Sequence, residues 1–146
     1  MHSHNGIALA LALVVAACQQ APKETRDVGP AVAAEAAIRE VSVADVATFV
    51  KTKAATIVDA NNAETRQDQG VVPGAVLLTS SREYALNELP SAKDTKLVFY
   101  CGGIQCRASD SAAKRAAEAG YADVSVMRDG IRGWKRAGQT TETPRS

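Results

Sequence analysis

The feature of this sequence that most constrains its fold is a short apolar run followed directly by a glycine-containing loop and a helix-forming segment. Residues 96–100 (Lys-Leu-Val-Phe-Tyr) predict a buried strand, and Cys101 stands at its carboxyl end. Ser109 or a residue near it is predicted to cap the following helix, in which four alanines between positions 112 and 117 favour close packing on a sheet. Gly120 is predicted to end that helix. A strand, a tight loop and a helix in this order are typical of an α/β fold with a parallel sheet.

The same alternation of strands and helices continues on both sides of this segment. Apolar runs predict further strands at residues 56–59, 75–78 and 124–127, and spacing and capping signals predict helices at residues 42–51 and 131–137. We therefore expect one α/β domain over residues 38–139, with a mainly parallel central sheet and helices on both faces. In such a sheet the ligand binds beyond the carboxyl ends of the strands, which is where Cys101 stands.

The composition of the chain excludes several classes of function. The formal net charge is +1 and only 4% of the residues are aromatic, so the sequence lacks the basic surface and the stacking residues of a nucleic-acid-binding protein. It has no zinc-ligand spacing and no phosphate-loop or dinucleotide motif, and we expect no metal and no cofactor. Both histidines, His2 and His4, precede the predicted domain, which excludes a Ser-His-Asp triad within it.

The N-terminal segment is predicted to serve targeting rather than folding. Residues 7–17 form an apolar run that is too short to span a bilayer and is typical of a signal peptide over residues 1–17. The run ends in Val-Ala-Ala-Cys18, which resembles the lipobox of bacterial lipoproteins. That resemblance implies a lipid on Cys18 and, with Gln19 rather than Asp beside it, an outer-membrane anchor facing the periplasm. The alternatives are an ordinary cleaved signal peptide that contains a cysteine, or a misassigned start codon.

Two polar segments flank the predicted domain. Residues 18–37 carry prolines, mixed charges and alanines but few large apolar side chains, and they predict a flexible tether. Residues 140–146 form a polar tail, and the chain from Gln139 onward is expected to fray.

The loop after Cys101 has the composition of an anion-binding site. Gly102 and Gly103 allow the backbone to curl so that successive N–H groups point inward, and such a nest stabilises a thiolate, a persulfide or an oxyanion. Arg107 at the helix start could add a charge-assisted contact. The predicted site is the nucleophile Cys101 with the loop residues Gly102, Gly103, Ile104, Gln105, Cys106 and Arg107. The alternative is a buried, unreactive cysteine at a strand end.

Four landmarks along the chain resemble those of the rhodanese-like domain family. They are Asp-Ala-Asn-Asn-Ala-Glu at 59–64, Val-Pro-Gly-Ala at 72–75, the strand and cysteine loop at 96–107, and Met-Arg-Asp-Gly-Ile-Arg-Gly-Trp at 127–134. The resemblance implies sulfur transfer, in which the Cys101 thiolate takes a sulfane sulfur from a donor, holds it as a persulfide and passes it to a nucleophile. Its partners would be a small sulfur donor, such as thiosulfate, and a thiol or cyanide-like acceptor.

Three other residues of these landmarks are weaker candidates. Asp59 could support the site by accepting N–H groups of the loop, although a plain capping role is the simpler interpretation. Glu64 is expected at the surface or in a structural contact, and Trp134 in the core.

Departures from the family pattern keep other functions open. Asn61 stands where the family has an arginine that often braces the site, and Cys106 stands where an arginine is common, five residues after the nucleophile. Arg107 gives the Cys-x5-Arg spacing of rhodanese-fold phosphatases and arsenate reductases, so oxyanion chemistry is the alternative activity. Those phosphatases carry a histidine before the cysteine, whereas this chain has Tyr100. A persulfide carrier without turnover is a further alternative.

Cys106 leaves the redox behaviour of the loop open. Across a loop of this length the two sulfurs could reach disulfide distance, and attack of Cys106 on a Cys101 persulfide would release sulfide and leave a disulfide. The protein would then need a reductant, such as a periplasmic redox partner protein, or would act as a thiol redox module. The alternative is that Cys106 only packs under the loop.

Overall fold

The computed structural model describes residues 38–145. The predicted signal peptide, the tether up to residue 37 and the lipidation residue Cys18 lie outside the described residues. In chain order the elements are β1 (Arg39–Glu40), α1 (Val43–Thr52), β2 (Thr56–Asp59), α2 (Ala63–Gln69), β3 (Val76–Leu77), β4 (Leu97–Tyr100), α3 (Ala108–Glu118), β5 (Val124–Met127) and α4 (Gly130–Arg136), with a 3₁₀ turn at Leu86–Glu88. None of the helices in this described range is long and apolar enough to cross a membrane.

The strands of the described region form one parallel sheet in the order β1-β5-β4-β2-β3. The central strand is β4, in which Phe99 pairs with Val58 of β2 on one side and with Val126 of β5 on the other. Parallel neighbours need a crossover between them, which α2 supplies between β2 and β3 and α3 between β4 and β5, while α1 connects the non-adjacent strands β1 and β2. The predicted α/β fold with a parallel sheet is confirmed.

The alternation of side chains along β4 divides the core into two layers. Leu97 and Phe99 pack with the alanines of α3 on one face of the sheet. Val98 and Tyr100 face the opposite layer, where they pack with Trp134 of α4 and with residues of α1. Helices therefore cover both faces of the sheet, and Trp134 is a core residue, as the sequence predicts.

The two predicted N-caps have different outcomes. The Ser42 hydroxyl accepts the Asp45 N–H at 3.2 Å, and the Asp45 carboxylate accepts the Ser42 N–H at 3.0 Å, so the predicted capping box opens α1. The helix α3 begins near Ser109, as predicted, but at Ala108, and Arg107 occupies the N-cap position without a side-chain cap, so Ser109 itself does not cap the helix. Ser109 is instead buried within the first turn of the helix.

The tail that was expected to fray is paired with the domain as far as Glu142. The backbone N–H and carbonyl of Glu142 bond with those of Val71, both at 2.9 Å. The Trp134 indole donates to the Thr140 carbonyl at 2.7 Å, and the Gln139 N–H donates to the Trp134 carbonyl at 3.2 Å. The expectation of fraying is therefore wrong for residues 139–142, since polar composition does not report backbone pairing of this kind.

Candidate active site

Cys101 lies directly beyond the carboxyl end of the central strand β4, between β2 and β5. Its carbonyl accepts the Ile131 N–H at 2.8 Å, and the Gly102 carbonyl accepts the Arg132 N–H at 3.3 Å. These donors belong to the first turn of α4, whose N–H groups have no partner inside their own helix. The start of the loop is therefore fixed against α4.

Gly130 permits the close approach of α4 to this loop. Its φ is +59°, and a Cβ at this position would lie 2.5 Å from the Gly103 nitrogen, 2.8 Å from the Gly102 carbonyl carbon and closer still to the Cys101 carbonyl oxygen. Backbone atoms cannot rotate out of the way as a flexible side chain can, so any side chain here would displace the loop. The landmark at 127–134 thus acts by positioning the cysteine loop.

The Cys101 thiol is held beneath the loop and is only 2% exposed. Its sulfur lies 3.3 Å from the Cys106 carbonyl oxygen, to which it donates, and 3.3 Å from the Ser109 hydroxyl oxygen. Burial raises the pKa of Cys101, and the hydrogen bond that its thiol makes with Cys106 raises it further, against the lowering effect of Ser109. This differs from the sequence-based expectation of a thiolate stabilised by the loop, because desolvation favours the neutral thiol.

The Cys106 thiol has the opposite character. A turn closed by a 2.8 Å hydrogen bond from the Cys106 N–H to the Gly103 carbonyl brings this residue back toward the loop start, and it is partly exposed. Burial raises the pKa of Cys106, but hydrogen bonds from the Cys101 thiol and from the N–H groups of Ala108 and Gly102 outweigh it, so the pKa lies below its ordinary value. Of the two loop glycines, Gly102 contributes to this lowering of the Cys106 pKa.

Arg107 is placed outside this pair of thiols. Its side chain is 77% exposed, and its Nε forms an ion pair with Asp110 Oδ2 at 2.9 Å. The structure therefore brings Arg107 to Asp110 rather than to the Cys101 sulfur. Ile104 and Gln105 form the exposed outer part of the loop.

A cavity of about 190 Å³ lies on the solvent side of the loop. Cys106 and Ile104 line it together with Arg132 and Arg136 from α4. The nearest acid to Arg136 is Asp129, at 3.9 Å. An anionic compound that approached from this side would meet two guanidinium groups, the Asp129 carboxylate and the Cys106 sulfur.

Asp59 is fully buried at the end of β2 and binds the residue that precedes the nucleophile. Its Oδ2 accepts the Tyr100 hydroxyl, and its Oδ1 accepts the Arg66 Nε–H at 3.1 Å and the Asn61 N–H at 2.7 Å. The carboxylate thus supports the site through Tyr100 rather than through N–H groups of the loop. Glu64 lies exposed at the start of α2, in the surface position expected for it.

Asn61 lies at the loop on its β2 side. The residue is 8% exposed, and the amide oxygen would lie 3.8 Å from a Cβ at Gly102. Its Nδ2 is buried without a hydrogen-bond partner among the described residues. Asn61 does not make the bracing contact that the family's arginine makes at this position. Arg66 makes such a contact instead, because its guanidinium donates to Asp59 Oδ1 and, at 2.9 Å each, to the carbonyls of Asp59 and Leu78.

Metal ligation has no support in the described region. Within residues 38–145, no group of His, Cys, Asp and Glu side chains is arranged to hold a metal ion. The chemistry of this site rests on two thiols, a hydroxyl and backbone N–H groups.

Comparison with known families agrees with this arrangement. Residues 42–137, more than half of the chain, match the rhodanese-like domain. The chain belongs to the rhodanese-like domain family. A comparison with curated protein sequences gives no match.

Solved structures share the rhodanese-like fold. A Rhodopseudomonas palustris protein described as a possible tyrosine phosphatase is 27% identical, with a TM-score of 0.60 over 72% of this chain and 85% of that one. Thiosulfate sulfurtransferase from Pseudomonas aeruginosa is 20% identical, with a TM-score of 0.56 over 73% of this chain and 21% of that one. A human single-domain sulfurtransferase is 18% identical, with a TM-score of 0.54 over 66% of this chain and 95% of that one. At such identities the two sulfurtransferases show the fold alone.

The sequence reasoning missed three contributors to this rhodanese-like site. Arg66 was not considered, although a cation seven residues after a strand-end acid is a signal for an ion pair. Ser109 was read as a helix cap, whereas its hydroxyl contacts the Cys101 sulfur. The Tyr100 hydroxyl was noted only as a departure from histidine, yet it links Asp59 to the Val72 N–H, from which it accepts at 3.0 Å.

Proposed function

We propose that this rhodanese-like protein is a sulfurtransferase that carries sulfane sulfur as a persulfide on Cys101. The observation that carries the proposal is the position of Cys101, at the carboxyl end of the central strand and anchored by the first turn of α4. Such an edge is the ligand-binding side of a parallel sheet. Among solved proteins of this fold are sulfurtransferases.

The reaction divides into two half-reactions. The Cys101 thiolate attacks the outer sulfur of thiosulfate or a related donor, the sulfur–sulfur bond of the donor breaks, and sulfite leaves. An acceptor such as cyanide or a thiol then attacks the outer sulfur of the persulfide, which returns the Cys101 thiolate and releases thiocyanate or a new persulfide. The intermediate splits one difficult transfer into two nucleophilic displacements.

The residues around Cys101 fit this chemistry. The thiol must lose its proton before it attacks, and its nearest polar contacts are the Cys106 carbonyl oxygen, to which it donates at 3.3 Å, and the Ser109 hydroxyl. Ser109 supplies a hydroxyl 3.3 Å from the Cys101 sulfur. Arg132 and Arg136 place positive charge in the neighbouring cavity, which favours an anionic donor.

The cellular setting is part of the proposal. We assign the mature protein to the bacterial periplasm, held at the outer membrane by a lipid on Cys18 and a tether over residues 18–37. The lipobox-like sequence Val-Ala-Ala-Cys18 supports this assignment. The proposed partners are the small sulfur donor, the thiol or cyanide-like acceptor, and a periplasmic thiol-redox protein.

A cyanide assay tests the activity. The purified protein is incubated with thiosulfate and cyanide in the presence of a dithiol reductant, and thiocyanate is measured. We expect the wild type and Arg107→Ala to form thiocyanate continuously, and Cys101→Ser to form none. Absence of turnover with thiosulfate, polysulfide and thiosulfonate donors would contradict the proposal.

Oxyanion chemistry is the second candidate, and the likeness to the possible phosphatase of Rhodopseudomonas palustris favours it. The placement of Arg107 weighs against it, because this guanidinium is paired with Asp110 and could not bind an oxyanion at Cys101 without leaving that pair. Hydrolysis of an aryl phosphate, or thiol-dependent reduction of arsenate, that is lost in Arg107→Ala would support this second activity. Sulfur transfer that is unaffected by Arg107→Ala favours the first.

A further inference from the structure

The two thiols of the loop belong to residues in direct contact, and they differ in exposure and in pKa. Cys101 is almost wholly buried, whereas Cys106 is partly exposed and lines the cavity of about 190 Å³. The Cys101 sulfur lies 3.3 Å from the Cys106 carbonyl oxygen, to which its thiol donates. Both cysteines are present as free thiols.

We propose that Cys106 is a resolving thiol, which attacks the Cys101 persulfide, releases its outer sulfur as sulfide and leaves a Cys101–Cys106 disulfide. This inference rests on the proposed persulfide of Cys101. It makes the protein a thiol-dependent sulfide-releasing enzyme, in which the sulfur need not pass to an external acceptor.

The step balances without an added oxidant. A bond forms between the Cys106 sulfur and the inner sulfur of the persulfide, and the bond between inner and outer sulfur breaks. The outer sulfur leaves as hydrosulfide with the electron pair of that bond, so the sulfane sulfur is reduced and the two cysteines are oxidised. A dithiol reductant then exchanges with the disulfide and restores both thiols. Over one cycle with thiosulfate, the dithiol is oxidised, and sulfite and hydrogen sulfide are released.

The geometry favours attack by Cys106 over attack by an external acceptor. The turn closed by the 2.8 Å bond from the Cys106 N–H to the Gly103 carbonyl holds Cys106 so that its carbonyl oxygen lies 3.3 Å from the Cys101 sulfur. A group held in this way reacts with an effective concentration far above that of a dissolved thiol. The burial of Cys101 slows competing acceptors at the same time. The N–H groups of Gly102 and Ala108 favour the thiolate of Cys106, which is its attacking form.

The exposure of Cys106 also determines which sulfur of the disulfide the reductant attacks. In the disulfide, Cys106 is the sulfur that faces the cavity, so an incoming thiolate reaches it first. Attack there would release Cys101 as the leaving thiolate, ready for the next donor. The exposed Ile104 and the guanidinium groups of Arg132 and Arg136 surround this entry and would contact the reductant.

The test is a single turnover without reductant. The full chain carries Cys18→Ser, so that Cys101 and Cys106 are its only thiols. The reduced and desalted protein receives one equivalent of thiosulfate, and sulfite, sulfide and intact mass are followed. Matched samples carry, in addition, Cys106→Ser or Arg107→Ala.

We expect the chain with both loop cysteines, and its Arg107→Ala form, to release sulfite and then a similar amount of sulfide, with a mass loss of about 2 Da for the disulfide. Cys106→Ser should release sulfite but at least about tenfold less sulfide, because the intramolecular attack is lost. It should accumulate a gain of about 32 Da for the persulfide and convert it to thiocyanate when cyanide is added.

Two results would overturn the inference, and they differ in what else they contradict. A stable persulfide on the chain with both cysteines, or equal sulfide release from Cys106→Ser, would refute the resolving role of Cys106 and leave the sulfurtransferase proposal standing. Absence of sulfite release and of any mass gain in both proteins, with thiosulfate and with polysulfide, would refute the persulfide itself and the resolving step with it.

Discussion

Replacing Gly130 by alanine should destabilise the domain and displace the loop of Cys101. The backbone of Gly130 has φ +59°, which costs an L-residue about 1–2 kcal/mol. The new Cβ would also lie 2.5 Å from the Gly103 nitrogen, and overpacking of this kind costs about 1–3 kcal/mol. The sum is about 2–5 kcal/mol, a large part of the 5–15 kcal/mol that typically stabilises a domain.

Gly138→Ala is the matched control for this prediction. Gly138 has φ +73°, but within residues 38–145 no heavy atom other than those of its chain neighbours lies within 4 Å of its Cβ position. Its substitution therefore carries the backbone cost without the overlap, and the two variants should differ by about 1–3 kcal/mol. In urea unfolding followed by circular dichroism, an m value of about 1–2 kcal/mol/M separates the midpoints by on the order of 1 M.

The same pair of variants separates stability from activity. Gly130→Ala should lose sulfur transfer under conditions where it is still folded, because the carbonyls of Cys101 and Gly102 accept hydrogen bonds from the first turn of α4. Gly138→Ala should keep it. Equal unfolding midpoints, or normal thiocyanate formation by folded Gly130→Ala, would refute the close packing of α4 on the loop.

Three further outcomes follow from the buried contacts of the site. Tyr100→Phe removes the hydroxyl that binds Asp59 and should lower the free energy of unfolding in urea by about 1–3 kcal/mol; an unchanged value would contradict the role of this bond. Arg66→Met leaves the buried Asp59 carboxylate without its cation and should cost about 3–5 kcal/mol in the same assay, where a loss under 1 kcal/mol argues against the brace. Iodoacetamide alkylates the thiolate form of cysteine, whose ordinary pKa is about 8.5. As pH rises, Cys106, with its lowered pKa, should therefore be labelled below about pH 8.5, and Cys101, with its raised pKa, only above it. Peptide fragmentation identifies which cysteine is labelled first, and labelling of Cys101 before Cys106 would contradict this prediction.

Elements with an apolar pattern were predictable from the sequence, and elements without one were not. The run at Leu97–Tyr100 and the spacing in Val43–Thr52 report burial directly, because those residues build the core. The two-residue strand Arg39–Glu40 is exposed and pairs only at the edge of the sheet through its backbone. Helix Ala63–Gln69 buries none of its side chains, so it has no apolar face to detect.

The position of Cys101 was predictable, but its electrostatics were not. The strand and the glycines place Cys101 in the loop after the central strand from local sequence alone. The direction of its pKa depends on burial beneath the loop and on the path of the chain back to Cys106, which are tertiary properties. For the same reason, the Cys-x5-Arg spacing, which suggested an oxyanion site, could not predict that Arg107 pairs with Asp110.

The most direct test of the account is to locate the transferred sulfur. The full chain carrying Cys18→Ser and Cys106→Ser is treated with thiosulfate, and peptide fragmentation identifies the residue that carries the mass gain of about 32 Da. The account predicts the added sulfur on Cys101, its removal by cyanide, and no gain when Cys101→Ser replaces Cys106→Ser. A persulfide on Cys106 in the Cys101→Ser protein, or no sulfur on Cys101, would contradict it.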